Sequence, residues 1–103
     1  MLQPNLNIYP IDYYSIKKAL LILRSLNHKL RQKIIETIEE NNTLTVTELY
    51  VRLRMEQSVA SQHLAILRRS GAVKTKREGK KIYYTVDKER ISAIEQLAKD
   101  MTG

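Results

Sequence analysis

Two glutamines and two serines, Gln57, Ser58, Ser61 and Gln62, stand at positions i, i+1, i+4 and i+5 of the segment QSVASQHLAILRRS. On a helix this spacing places them along its first turns, pointing away from the apolar stripe. A glutamine amide can pair bidentately with an adenine edge, and a serine hydroxyl bonds several bases. The same four residues also suit the polar surface of any helix. His63 follows directly and fits two roles equally, a contact to phosphate or base and a half-buried, hydrogen-bonded structural histidine. Catalysis has less to work with. Ser61 and His63 are two residues apart, so on a helix they point in different directions, and no acidic residue lies nearby to orient an imidazole. Neither a phosphate-binding glycine loop nor paired catalytic carboxylates occur. The chemistry on offer is hydrogen-bonded recognition.

Charge points the same way. The formal charge is +7. Arg52, Arg54, Arg68, Arg69, Lys74, Lys76, Arg77, Lys80 and Lys81 are opposed only by Glu56 and Glu78, so residues 52–81 hold the entire excess and the remainder sums to zero. Such clustering is the footprint of a phosphate-backbone binder. Lys76, Arg77, Lys80 and Lys81 bracket the turn Glu78-Gly79, where they can grip backbone or minor groove. Arg54 adds a further cation in the break before Gln57. Arg68 and Arg69 end their segment, which favours a role at the helix dipole. A membrane surface would also attract positive charge, but no basic amphipathic helix with exposed large apolar residues is evident.

The elements that must position these groups are legible in order. Pro4 and Pro10 make residues 1–11 an extended lead-in. Asp12 can cap a helix to about Leu26. Its apolar residues, Tyr13, Ile16, Ala19, Leu20, Leu21, Ile22, Leu23 and Leu26, cover more than one face, so it is expected to be buried on two sides, one of them against a partner subunit. Asn27 is expected to end that helix and cap the next, from His28 to about Glu40. Leu30, Ile34 and Ile38 form its buried stripe; Lys29, Arg31, Lys33, Glu36 and Glu39 face solvent. Leu44 and Val46 suggest a short extended segment. Thr45, with Glu48 at capping-box spacing, competes with Thr47 to start a third helix ending near Leu53. A break at Arg54-Met55-Glu56 precedes a fourth helix, Gln57 to Ser70, with Glu56 at its N-cap and Val59, Leu64 and Leu67 as its core. Gly71 stops it. Two β-rich arms, 73–77 and 80–86, then read as a hairpin in which one of Tyr83 and Tyr84 packs inward. Asp87 starts a last helix to about Met101, whose stripe Ile91, Ile94, Leu97, Ala98 and Met101 is expected to pair with the first helix and their symmetry mates. The fold class is mainly α with a β-hairpin wing: a winged helix-turn-helix of five helices and a two-stranded wing, with the helix-turn-helix at 47–70, the wing at 73–86, and dimerisation helices at 12–26 and 87–101.

A chain of 103 residues is read as one domain. It has no cysteine, so disulfides and thiol-based redox or metal sensing are excluded. Its longest apolar run, Ala19 to Leu23, is far below the ~20 residues of a membrane span, and no signal peptide is evident. A soluble, cytoplasmic protein without cofactor is expected.

The residues also resemble the ArsR-type bacterial transcriptional regulators from about Leu30 to Val86. The likeness is carried by Leu30-Arg31-Gln32-Lys33-Ile34-Ile35, by Val46-Thr47-Glu48-Leu49, by Ser58 to Val73 with its Ser-x-His-Leu pattern, and by Arg77-Glu78-Gly79-Lys80-Lys81-Ile82-Tyr83-Tyr84. The resemblance implies a homodimer that binds double-stranded DNA at an inverted repeat near a promoter, in bacteria or archaea, with an effector lowering affinity in many members. The sequence departs from the metal-sensing pattern. Where such members carry cysteines, it has Leu49-Tyr50-Val51-Arg52-Leu53, and the last helix has no histidine. With His28 and His63 its only histidines, a soft-metal site is not expected. Arg54 replaces the small residue or glycine common in the turn. The alternative reading is a winged-helix module that binds protein; such modules usually lose the basic wing and polar recognition helix that this chain keeps. Single-stranded RNA would call for stacking aromatics, and the chain has no Phe or Trp.

Overall fold

The computed structural model describes residues 13–102; the lead-in at 1–11 and the Asp12 cap lie outside the described residues. The elements run α1 (Tyr13–Leu26), α2 (Lys29–Asn41), β1 (Leu44–Thr45), α3 (Val46–Leu53), α4 (Gln57–Ser70), β2 (Val73–Glu78), β3 (Lys81–Val86) and α5 (Lys88–Thr102). This is a winged helix-turn-helix. The wing gains a third strand, because β1 pairs antiparallel with β3, giving the order β1-β3-β2. Leu44 pairs with Tyr84 and Thr45 with Tyr83, while β2 and β3 run in register from Val73 against Val86 to Glu78 against Lys81. No helix among the described residues is long and apolar enough to cross a membrane.

The core forms where helical and strand periods meet. Ile34, Ile35 and Ile38 from α2, Leu44 from β1, Leu49 from α3, Leu64 and Leu67 from α4, and Val73 and Val86 from the wing make one buried cluster with Ala72. On α4 the buried stripe is Ala60, Leu64, Leu67 and Ser70. Val59, expected in the core, is only half-buried. The helical period through Leu64 and Leu67 passes through Ala60, one residue and about 100° round the helix.

Local capping explains most boundaries. Thr45, not Thr47, caps α3: its hydroxyl accepts from Glu48 N at 3.2 Å and Glu48 Oε1 accepts from Thr45 N at 2.9 Å. These bonds, the backbone one first, hold the Glu48 carboxyl below its usual range, helped by Arg52 and Lys81. For α2 the cap is His28 rather than Asn27, its Nδ1 accepting from Leu30 N at 3.1 Å; the imidazole supplies the acceptor two residues ahead that a capping side chain must offer. At α5 the Asp87 carboxylate accepts from Arg90 N at 3.1 Å. Glu56 occupies the N-cap position of α4 but makes no side-chain cap bond.

The two helices of the helix-turn-helix end alike. Arg54 N donates to Val51 O and Met55 N to Tyr50 O; Gly71 N donates to Arg68 O and Ala72 N to Leu67 O. Both are Schellman closures, which need a left-handed residue: Gly71 at φ +85 and, against its conformational preference, Arg54 at φ +53.

Replacing Thr45 by Ala should lower the unfolding free energy by about 1 kcal/mol, seen as a lower urea midpoint with an unchanged slope. Because Glu48 is the group whose pKa the box lowers, the box acts fully above the ordinary carboxylate range and is lost as pH falls through the lowered pKa. The gap between wild type and variant should therefore close on acidification.

Candidate nucleic-acid interface

α4 is held from behind and open in front. α1, α3 and β2 all pack against it. Its buried back includes a polar contact with α1, where the Ser25 and Ser70 hydroxyls lie 3.0 Å apart, Ser25 Oγ also 2.8 Å from Ile22 O and Ser70 Oγ 2.9 Å from Leu67 O. Two hydroxyl protons serve these three contacts, so the pair acts as one coupled unit. No buried side-chain polar atom among the described residues lacks a partner.

The front carries Gln57, Ser58, Ser61 and Gln62, all exposed. Among the described residues none of these side chains has a partner within the chain. Their donors and acceptors are therefore free for an external ligand. The structure brings the four together on one helical face, as their spacing requires.

The wing places its cations differently from one another. Lys80 and Lys81 are exposed and, with Ile82 and Tyr84, line a groove whose other wall is Thr45 to Glu48 at the start of α3. Lys76 lies 3.8 Å from Glu78, both largely exposed, a pairing worth at most about 1 kcal/mol and readily exchanged for a phosphate. Arg77 Nε donates to Gly79 O at 3.2 Å, so this side chain braces the turn. Gly79 itself sits at φ +62. Tyr84 packs against the core; Tyr83, next along the strand, therefore faces the other side, level with Lys76 and Thr45.

His63 is half-buried rather than displayed. Its Nδ1 accepts from Arg31 Nε at 3.2 Å, and its ring meets that of His28 edge-on at 5.1 Å between centroids. Burial first, then Arg31 and His28, push its pKa below the ordinary imidazole value. Arg31, expected on the solvent face, is half-buried and also donates from Nη1 to Ser25 O at 3.4 Å. Stripe arithmetic treated its flank of α2 as free surface, but α1 and α4 reach it through Ser25 and His63. Among the described residues no group of three metal-ligating side chains comes together.

Sequence counting also concealed a second basic cluster. Residues 13–35 carry Lys17, Lys18, Arg24, Lys29, Arg31 and Lys33 and no acid, the nearest acids being Asp12 before the segment and Glu36, Glu39 and Glu40 after it. Lys17, Lys18 and Arg24 of α1 share a groove with Arg69 at the end of α4, over Tyr14, Leu20 and Leu21.

The sequence profile of the bacterial regulatory protein arsR family matches residues 28–75, which span α2 to the first residues of β2. The transcriptional activator HlyU of Vibrio cholerae is 38% identical over 80 residues, covering 78% of this chain and 73% of that protein. The transcriptional repressor PagR of Bacillus anthracis is 30% identical over 89 residues, covering 86% and 89%. The chain belongs to the ArsR family. The crystal structure of PagR superposes with a TM-score of 0.70 over 84% of this chain and 99% of that one, and that of V. cholerae HlyU with 0.66 over 90% and 100%, at 35% identity. This ArsR protein is a winged helix-turn-helix DNA-binding transcriptional regulator and not an enzyme.

An arginine in the left-handed region costs about 1–2 kcal/mol over its preferred conformation, a cost that glycine avoids while losing more backbone entropy on folding. Arg54→Gly should therefore raise stability by up to about 1 kcal/mol, read as a higher urea midpoint.

Proposed function

We propose that this protein is a homodimeric repressor that binds an inverted-repeat DNA operator, the whole chain serving as one winged helix-turn-helix unit. The observation that carries the reading is the uncommitted polar front of α4: Gln57, Ser58, Ser61 and Gln62 have no partner within the described chain and lie on the first turns of the helix that enters the major groove in such folds. They are the base readers. Arg54, Lys76, Lys80 and Lys81 supply phosphate contacts, with Arg77 shaping the wing tip as well as adding charge. His63 serves the interface from behind.

Three observations support a dimer. The radius of gyration is 16.4 Å, against about 13 Å for a compact domain of this length. α1 buries Ala19 and Ile22 but exposes Tyr13, Tyr14, Ile16, Leu20 and Leu21, and α5 exposes Leu97. A groove floored by Leu23, Leu26, Ile35 and Ile91 is lined by Glu36, Glu39 and Glu95 with Arg24 as its one cation, a net acidic rim complementary in charge to Lys17 and Lys18 of α1. HlyU is named an activator and PagR a repressor; the repressor sense follows PagR, with which this chain shares the larger part of its length. Control by a thiol-bound metal is closed to this sequence, which has no cysteine, and both imidazoles are engaged at Nδ1.

Duplexes selected from a random pool should contain half-sites about one turn, ~34 Å, apart. Affinity should fall steeply with salt. Lys80→Ala should weaken all sequences alike and reduce the salt slope by about one, while Gln57→Ala should cost about 1–3 kcal/mol and relax preference at one base pair. A flat salt response, or uniform behaviour of both variants, would overturn this division of roles. Sedimentation should give a dimer for the wild type and a monomer for Leu20→Glu/Leu21→Glu; a wild-type monomer at micromolar concentration sinks the dimer.

A further inference from the structure

Arg31 joins three helices. From α2 its Nε reaches His63 on α4 and its Nη1 reaches the Ser25 carbonyl in the last turn of α1. The acceptor on α4 is an imidazole nitrogen, and only a neutral imidazole with its proton on Nε2 can accept at Nδ1. The neighbouring ring is under the same demand, since His28 Nδ1 accepts from Leu30 N to cap α2. The two rings, 5.1 Å apart, are the only histidines of the chain.

We propose that Arg31 is a positioning residue that braces the recognition helix α4 through neutral His63, and that proton uptake by His63 releases the brace and weakens DNA binding. This rests on the reading of α4 as the DNA-reading helix. An imidazolium carries N–H on both nitrogens and accepts nothing. Protonation of His63 therefore breaks the bond from Arg31. It also sets a new cation beside the guanidinium. The charged and titratable groups facing His63 from α2 are Arg31 and His28. α1 contributes only the Ser25 carbonyl, reached through Arg31. Along α4 the nearest acid is Glu56, two turns away at the cap position. Among the described residues, no carboxylate is ion-paired with Arg31 or with either ring. Nothing in the cluster compensates an added positive charge.

Burial, then Arg31, then His28 push the pKa of His63 below its ordinary value. The neutral form is thus the one that the folded state favours. The brace acts fully above about pH 6.5, the ordinary imidazole value, and is lost as pH falls through the lowered value of His63. General electrostatics predicts the opposite trend, because each added proton makes the protein more positive and tightens its hold on phosphate. The direction of the pH effect therefore separates the two.

The test measures affinity of the full chain, at constant ionic strength from pH 7.5 to 5.0, for a duplex that the protein itself selects from a random pool at pH 7.5. A proton excluded from the bound state, with a pKa below about 6.5, predicts a loss of about threefold to thirtyfold at pH 5.0 for each engaged subunit. His28→Asn/His63→Asn offers uncharged acceptors near both Nδ1 positions and should change by less than about twofold across the range, whatever its affinity at pH 7.5. Arg31→Met should bind more weakly at pH 7.5 and show a flattened pH profile. Nitrogen NMR of the wild-type imidazoles needs no variant and should show both protons on Nε2 at pH 7.5. Wild-type affinity that is flat or rises on acidification overturns the proposal, as does a proton on His63 Nδ1 at pH 7.5. Failure to select any duplex at pH 7.5 overturns the DNA-reading assignment itself, and is distinct because failure of the brace leaves binding at pH 7.5 intact.

Discussion

One constraint governs the arrangement: α4 must be buried along Ala60, Leu64, Leu67 and Ser70 while its opposite face keeps Gln57, Ser58, Ser61 and Gln62 unpaired. A polar face without partners gains nothing from folding, so the stability of the helix has to come from its back. That explains why α1, α3 and β2 converge there. The buried side is mostly apolar, and the buried contact of Ser25 with Ser70 ties α4 to α1 where direction matters more than area.

The same logic orders the turn before α4. The Schellman closure of α3 releases the chain in three residues, short enough to hold α3 and α4 at a fixed angle. It demands a left-handed residue, and Arg54 meets that demand where glycine would do so with less strain. A charged residue kept in an unfavourable backbone region is the kind of strain that clusters at functional sites. The wing follows a related pattern. Its base is anchored by Val73, Val86 and Tyr84 in the core and by pairing with β1, while its tip presents Lys76, Lys80 and Lys81 to solvent.

Electrostatics divides the molecule more finely than its net charge suggests. Surface cations of the wing have at most weak ion pairs and can trade them for phosphate. The cations of α1 share a groove with exposed leucines, which suits an interface between subunits. Arg31 belongs to neither group. It is spent inside the fold, on a carbonyl and an imidazole, and so contributes order where the others contribute attraction.

Much of this was readable from the chain alone. Periodicity placed all five helices, Gly71 and Gly79 marked their turns, and the spacing of Gln57, Ser58, Ser61 and Gln62 put them on one face, because such features are local and repeat with the helix. Details that depend on a neighbour were not readable. The third strand needed Tyr84 opposite Leu44, a pairing across forty residues. Ala60 displaced Val59 from the core because the phase of a stripe is set by what packs on it. Arg31 and His63 met because the fold brings the first turn of α2 within side-chain reach of α4, and no sequence spacing encodes that approach. The sequence by itself determined the fold class, the basic wing and the exposed polar turn of α4, since these follow from short-range pattern and charge. Only the tertiary structure decided which cations are free and which are committed, because that depends on the acceptors that distant segments bring within hydrogen-bond reach.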